Sequence, residues 1–243
     1  MRMRWTVAAI ALGCSIVGGC AGTPAALFGT RVSAGAGSPS SAPHTITLAA
    51  DARQSATLAV VSGATTVTVS ATAMPGQLLR VWTPANSGVR PQVVQTGGRV
   101  QVFLDSTGQS GPSAVVIQLS SAVRWDLQFS GGAAQTLLDL GHGKIGAIDF
   151  TAGSSLISMT LPRPAGTTTI TLAGGASQVS VSIPAGVPAR LRLYGGAGTA
   201  TIGGHTYVGV GGGTVLTPAG WTSADERYDV TAPAGVSTIS VTA

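Results

Sequence analysis

Residues 130–133 read Ser-Gly-Gly-Ala, 151–154 Thr-Ala-Gly-Ser, 173–176 Ala-Gly-Gly-Ala and 194–197 Tyr-Gly-Gly-Ala. Their glycines Gly132, Gly153, Gly175 and Gly196 are spaced by 21, 22 and 21 residues. Each unit holds two strand patterns split by a Gly/Pro turn, as in Ile157-Ser158-Met159-Thr160-Leu161 before Pro162 and Ile170-Thr171-Leu172 after Gly166. Self-similarity at this period predicts a β-solenoid, in which each coil stacks on the last and alternating apolar residues fill one long core. The glycines fit corners where coils need positive φ or close backbone approach. Weaker relatives occur at Ser62-Gly63-Ala64 and Thr96-Gly97-Gly98. An antiparallel sandwich with evenly spaced hairpins is the competing architecture, but it does not require the Gly-Gly-Ala corner to recur in register.

Period-two alternation continues outside these units, in Thr45-Ile46-Thr47-Leu48 and Thr66-Val67-Thr68-Val69, as half-buried strands require. No window shows a sustained helical stripe. With 44% hydrophobic and 9% charged residues, 35 Gly and 13 Pro among 243 residues, the chain is too apolar for long disorder. It is also too rich in poor helix formers for a bundle. A solenoid needs covered ends; Trp221 and Tyr228 are the candidates for a C-terminal cap, and Trp82 or Trp125 for the earlier coils.

The N-terminus begins Met-Arg-Met-Arg, and Trp5 to Val17 is a mostly apolar run of 13 residues. That is short for a membrane span, which needs about 20 residues, and suits a signal-peptide core. Val17-Gly18-Gly19-Cys20 resembles a bacterial lipobox, which predicts a diacylglyceryl anchor on Cys20. Cys14 is a poorer candidate, because cleavage there leaves a shorter apolar core. Ordinary secretion with Cys20 as a spare thiol is the alternative. Residues 1–19 thus read as a lipoprotein signal peptide, 20–43 as the lipidated Cys and a flexible Ala/Gly/Ser/Thr/Pro linker, and 44–243 as the β-solenoid domain. The clearest repeats span 125–204, with a cap over about 205–243.

The formal charge is +5, but removing Arg2 and Arg4 leaves 11 basic against 8 acidic residues. Those bases are scattered, and Arg190-Leu191-Arg192 is the one close pair, reading as the solvent face of a strand. No basic stripe interleaves with aromatics, which argues against nucleic acid as a partner.

The segments GGAAQTLLDLGHGKIGAIDFTAGSSLISMTLPRP, GGASQVSVSIPAGVPARLRLYGGAGTATIGG and GGGTVLTPAGWTSADERYDVTAPAGVSTISV resemble toast-rack-type bacterial envelope domains. This family includes adhesin and cell-wall-stress accessory domains. Actinobacterial relatives carry similar Gly-Gly-Ala-Ser units that end in a Gly-Trp…Arg-Tyr-Asp segment. The resemblance covers residues 125–243 well and 44–124 loosely. It implies a right-handed single-stranded β-helix exposed outside the membrane, and it brings no catalytic residues. In the accessory proteins the domain usually follows transmembrane helices, whereas here it follows a lipobox.

Chemistry-bearing motifs are sparse. Gly141-His142-Gly143-Lys144-Ile145-Gly146 formally fits G-x-G-x-x-G, but a strand pattern follows where a phosphate site needs a helix N-terminus. It reads as a tight turn, and Gly209 to Thr214 as a loop. The eight carboxylates are Asp51, Asp105, Asp126, Asp139, Asp149, Asp225, Glu226 and Asp229. None sits in a paired acid/base motif, and Asp139 and Asp149 read as corner residues bonding backbone. His44, His142 and His205 lack zinc-ligand spacing. A Ser–His–Asp set around His142 or His205 would have to assemble in space.

The expectation is a non-enzymatic envelope lipoprotein for adhesion or scaffolding, on the extracytoplasmic face of the membrane. It has no catalytic, cofactor-binding or metal residues and needs no cofactor; its partner is an envelope protein or cell-wall glycan. The alternatives are an accessory modulator of an envelope-stress sensor and, behind it, a polysaccharide-active β-helix enzyme.

Overall fold

The computed structural model describes residues 30–33 and 42–243; the predicted leader, Cys14 and Cys20 lie outside the described residues. The described chain is all β, without a helix. The first eight strands are β1 (Thr30–Ser33), β2 (His44–Ala49), β3 (Ser55–Val60), β4 (Ala64–Thr72), β5 (Gln77–Thr83), β6 (Val89–Thr96), β7 (Arg99–Ser106) and β8 (Ala114–Ser120). The middle six are β9 (Arg124–Phe129), β10 (Ala133–Asp139), β11 (Lys144–Phe150), β12 (Ser154–Thr160), β13 (Thr167–Leu172) and β14 (Ala176–Ser182). The last six are β15 (Ala189–Leu193), β16 (Ala197–Ile202), β17 (His205–Val210), β18 (Thr214–Leu216), β19 (Arg227–Ala232) and β20 (Val236–Thr242).

From β9 to β14 successive strands alternate between two facing sheets: β9, β11 and β13 in sheet I, and β10, β12 and β14 in sheet II. Each of β9, β10, β11 and β12 pairs in parallel with the strand two further on. Hairpins make antiparallel neighbours, so this pairing rules out the hairpin sandwich for the middle of the molecule. Antiparallel pairs are found towards the two ends, so both sheets are mixed.

Alternation puts every second side chain inside, and parallel register then lines these into rows. In sheet II one buried row runs Ile117, Val69, Leu138, Met159, Val181, Val241 and Ile202. Opposite it, in sheet I, Val60, Phe129, Phe150 and Leu172 line up. The Phe129 and Phe150 rings stack with centroids 4.7 Å apart. Full burial of such side chains stabilises by about 1.5–3 kcal/mol each, and the apolar cluster continues from Ile46 to Val241.

The stacking order is not the chain order. Sheet I runs β1-β6-β7-β3-β9-β11-β13-β19-β15-β18, and sheet II runs β17-β16-β20-β14-β12-β10-β4-β8-β5-β2. The β19/β20 coil therefore enters between the β13/β14 and β15/β16 coils. This corrects the cap expected over about 205–243: residues 227–242 are interior, and only the segment before them lies at the end. Tyr228, expected in a cap, is fully buried in the stack, and its hydroxyl donates to the Pro162 carbonyl. Trp125 is likewise interior, its Nε1 donating to the Ser120 carbonyl at 3.0 Å. At the other end β7/β8 stack outside β3/β4, and residues 30–33, inside the expected linker, pair antiparallel with β6.

The corner glycines report the same order. A Cβ on Gly63 would meet the Gly132 carbonyl oxygen at 3.0 Å, one on Gly132 that of Gly153 at 3.3 Å, and one on Gly153 that of Gly174 at 2.9 Å. Gly175 faces Gly235 at 3.4 Å, and Gly235 faces Gly195 at 3.2 Å. Close approach of backbone to backbone is thus what these positions demand, with positive φ added at Gly175 and Gly196. Gly63, a weak relative in sequence, is a full member of this ladder. Gly97 and Gly98 instead form the turn between β6 and β7.

Candidate functional site

The chemistry-bearing residues are dispersed. Among the described residues no three or more His, Cys, Asp or Glu side chains gather where they could hold a metal ion. Asp51 pairs with Arg53, Glu226 with Arg163, and Asp229 with Arg190 and Arg192. Asp149 lies within β11 and not at a corner; Asp139 is the last residue of β10. The Gly141–Gly146 motif is the turn between β10 and β11 followed by the start of β11. Its last glycine has a steric role, since a Cβ on Gly146 would lie 2.1 Å from Asp126 Oδ1. The pairing of β9 with β11 shifts register at this point, between Ile145 and Ile148, and the absence of a Cβ on Gly146 leaves room for the Asp126 carboxylate. Gly211–Gly213 link β17 to β18 as a loop.

The densest polar cluster sits on the outer face of sheet I, where β19 lies between β13 and β15. Arg190 and Arg192 alternate with buried Ala189, Leu191 and Leu193 along β15, which places both guanidinium groups outside. Arg190 Nη2 donates to Asp229 Oδ2 at 2.5 Å, and Arg192 Nε donates to Asp229 Oδ1 at 3.2 Å. The Trp221 ring lies 3.6 Å from the Arg190 guanidinium carbon and 4.4 Å from that of Arg227, and each such contact is worth about 0.5–2 kcal/mol. Trp221 Nε1 donates to the Tyr228 carbonyl at 2.8 Å, and Arg227 Nη1 donates to the carbonyls of Trp221 and Thr222. These contacts pin the segment between β18 and β19 onto sheet I.

Burial alone would raise the Asp229 carboxyl pKa. The hydrogen bonds and charges of Arg190 and Arg192 outweigh it and hold the carboxyl below the ordinary aspartate value. A carboxyl depressed in the folded chain stabilises the fold above its ordinary pKa, and that contribution disappears as pH falls through the depressed value. Asp229→Asn should therefore lower Tm at neutral pH, and its Tm should fall less steeply than that of the wild type from about pH 4 downward. Calorimetric scans across that range check both; parallel Tm curves for the two proteins would remove the electrostatic role of Asp229.

The outer face of sheet II differs in kind. One row reads Thr66, Gln135, Leu156, Gln178, Thr238 and Thr199, and the next Thr68, Leu137, Ser158, Ser180, Ser240 and Thr201. A third reads Ser70, Asp139, Thr160, Ser182 and Thr242. The three rows contain a single charged residue, Asp139. Neighbouring strands repeat about every 4.8 Å, so the face presents hydroxyl and amide groups at regular spacing. Trp82 lies outside on β5 with the Arg80 guanidinium 5.4 Å from its ring centroid. It pairs with Thr45 of β2, the edge strand of that sheet.

At the opposite end, β17 and β18 are the last strands of their sheets. Between them lies a cleft of about 630 Å³ lined by Ile202, His205, Tyr207, Val215, Leu216 and Pro218. No helix among the described residues is long and apolar enough to cross a membrane, and Cys20 lies outside the described residues.

No protein-family model matches the chain, and no curated protein matches its sequence. Among solved structures, a crystal structure of a putative cell adhesion protein from Clostridium sporogenes ATCC 15579 is similar. It has 11% sequence identity and a TM-score of 0.57, over 82% of this chain and 99% of that chain. A putative adhesin from Bacteroides fragilis NCTC 9343 shares 9% identity over 84% of this chain and 98% of that one, at a TM-score of 0.25, too low to carry an argument. The Clostridium likeness shows a shared fold at a distance where sequence identity is nearly lost.

Proposed function

We propose that the chain is a non-enzymatic lipoprotein of the cell envelope, held at the extracytoplasmic face through Cys20 and serving adhesion or scaffolding. The observation that carries this reading is the outer face of sheet II, where rows made mostly of Ser, Thr and Gln cross five or six strands, interrupted by Leu137, Leu156 and one carboxylate, Asp139. Such a face offers many hydrogen-bonding groups to a neutral glycan or a protein surface, without an assembled acid/base pair. The fold shared with a putative cell adhesion protein supports the same class.

The wound segment is read as a right-handed single-stranded β-helix of about 21–22 residues per coil. Its support is the parallel register of β9 to β14, together with the strong right-handed preference of parallel crossovers.

Two measurements test the proposal. Cells fed a clickable fatty acid should label the wild-type chain and fail to label Cys20→Ala; equal labelling would remove the anchor. In-cell cross-linking with mass spectrometry should recover a cell-wall glycan or envelope protein with the wild type, and recover at least tenfold less after Ser158→Glu and Ser180→Glu together. Capture of a membrane stress sensor in its place would make the chain an accessory modulator, and capture that ignores both substitutions would remove sheet II as the contact face.

A further inference from the structure

The two ends of the stack are finished differently. At one end, the N-terminal segment supplies both outermost strands, β1 in sheet I and β2 in sheet II. β1 has only four residues, and short length is a usual means of blunting an edge against pairing. At the other end, β17 and β18 each leave one edge unpaired among the described residues. Residues 205–216 contain no Asp, Glu, Lys, Arg or Pro, so neither charge nor proline guards these edges, and short length guards only the three-residue β18.

The side chains there are apolar as well as accessible. Val208 pairs with Thr199 and lies on an outer face, 81% exposed, while Val215, opposite Arg192, is 48% exposed at the mouth of the cleft. Tyr207 pairs with the buried Ala200, and Leu216 with the buried Leu191. These two continue the interior rows into the cleft of about 630 Å³, and Tyr207 is 41% exposed. The core therefore reaches solvent at this end.

We propose that this end is a self-association surface, at which two copies of the chain join about a two-fold axis normal to both sheets. The geometry favours a second copy over an unrelated strand. Rotation by half a turn about such an axis reverses both strand direction and stacking direction while keeping each sheet in its own layer. One operation therefore sets β17 antiparallel to the partner's β17 and β18 antiparallel to the partner's β18, so both open edges are satisfied together. It also closes the two clefts against each other, covering Tyr207 and Leu216. An isologous contact brings each patch against its own copy, and a patch without formal charge does so without like-charge repulsion. The inference stands independently of the anchor and of what the sheet faces bind.

The test uses the chain from Ala21 onward, which holds every described strand and, without Cys14 and Cys20, no cysteine. Sedimentation velocity from micromolar to hundreds-of-micromolar concentration should show a monomer–dimer equilibrium. Val208→Lys and Val215→Lys should each weaken it at least tenfold, while Thr160→Lys, in the middle of sheet II, should leave it unchanged. A chain that stays monomeric throughout, or a dimer indifferent to both edge lysines, overturns the proposal. Should a lysine variant fail to fold, Val208→Cys and Tyr207→Cys decide: one of them forms an interchain disulfide under mild oxidation, and the absence of cross-linking in both overturns it.

Discussion

Gly174→Ala should cost about 3 kcal/mol or more of stability, at the upper end of what overpacking does. A Cβ at this position would lie 2.1 Å from the Ala152 carbonyl carbon, 2.3 Å from its oxygen and 2.5 Å from the Gly153 nitrogen. All three are backbone atoms of the neighbouring coil, so no side chain can rotate away. Relief requires the corner to move, and the corner is held by hydrogen bonds from Ala173 and Gly174 N–H to the Phe150 carbonyl and from Ser154 N–H to the Gly175 carbonyl. Gly131→Ala should behave alike, with its Cβ 2.2 Å from the Ser62 carbonyl carbon. Gly98→Ala is the control: no atom lies within 4 Å and its φ is not positive, so its stability should stay within about 0.5 kcal/mol of the wild type. Urea denaturation of the three variants measures this. A Gly174→Ala protein as stable as Gly98→Ala would mean the corners do not approach as closely as described.

The second large effect follows from the position of β19 and β20. Truncation after Glu226 removes buried Tyr228, Val230, Ala232, Val236, Ile239 and Val241, a loss on the order of 10 kcal/mol in transfer terms. That rivals the whole stability of an ordinary domain. The loss is also placed to separate the stack. β15 and β16 lose their parallel partners, and β13 and β14 lose theirs on the other side. Hydrogen exchange should therefore show residues 184–226 unprotected in the truncated chain, while residues 124–160 keep slow amides. Were these last strands a lid over a stack built in chain order, β15 and β16 would stay protected after their removal. Retained protection there would refute the intercalated order.

How much of this was legible depends on which interactions carry it. The all-β class and the alternate burial of β9 to β14 follow from period-two patterning, a local property. The corners at Gly132, Gly153, Gly175 and Gly196 were visible because the Gly-rich motif recurs at constant spacing. Gly235 was missed because it follows Pro233-Ala234, the same context as the turn glycines Gly166, Gly186 and Gly220, so its local sequence resembles the opposite side of a coil. The ionic cluster was half legible: Arg190 and Arg192 were correctly placed on an outer strand face. Their carboxylate, Asp229, lies 37–39 residues away, and only the insertion of β19 beside β15 brings it there.

The amino-acid sequence by itself determined the strand period, the glycine corners, the scarcity of clustered carboxylates and histidines, and the apolar, uncharged character of residues 205–216. Each is a property of a residue or of its near neighbours along the chain. The tertiary structure alone decided the order in which coils stack, the partner of Asp229, and which strands are left as open edges. Coils with matching corners and the same alternation present nearly equivalent surfaces to one another. Local patterning therefore cannot rank their neighbours, and the order is chosen by the summed burial and backbone pairing of the whole stack.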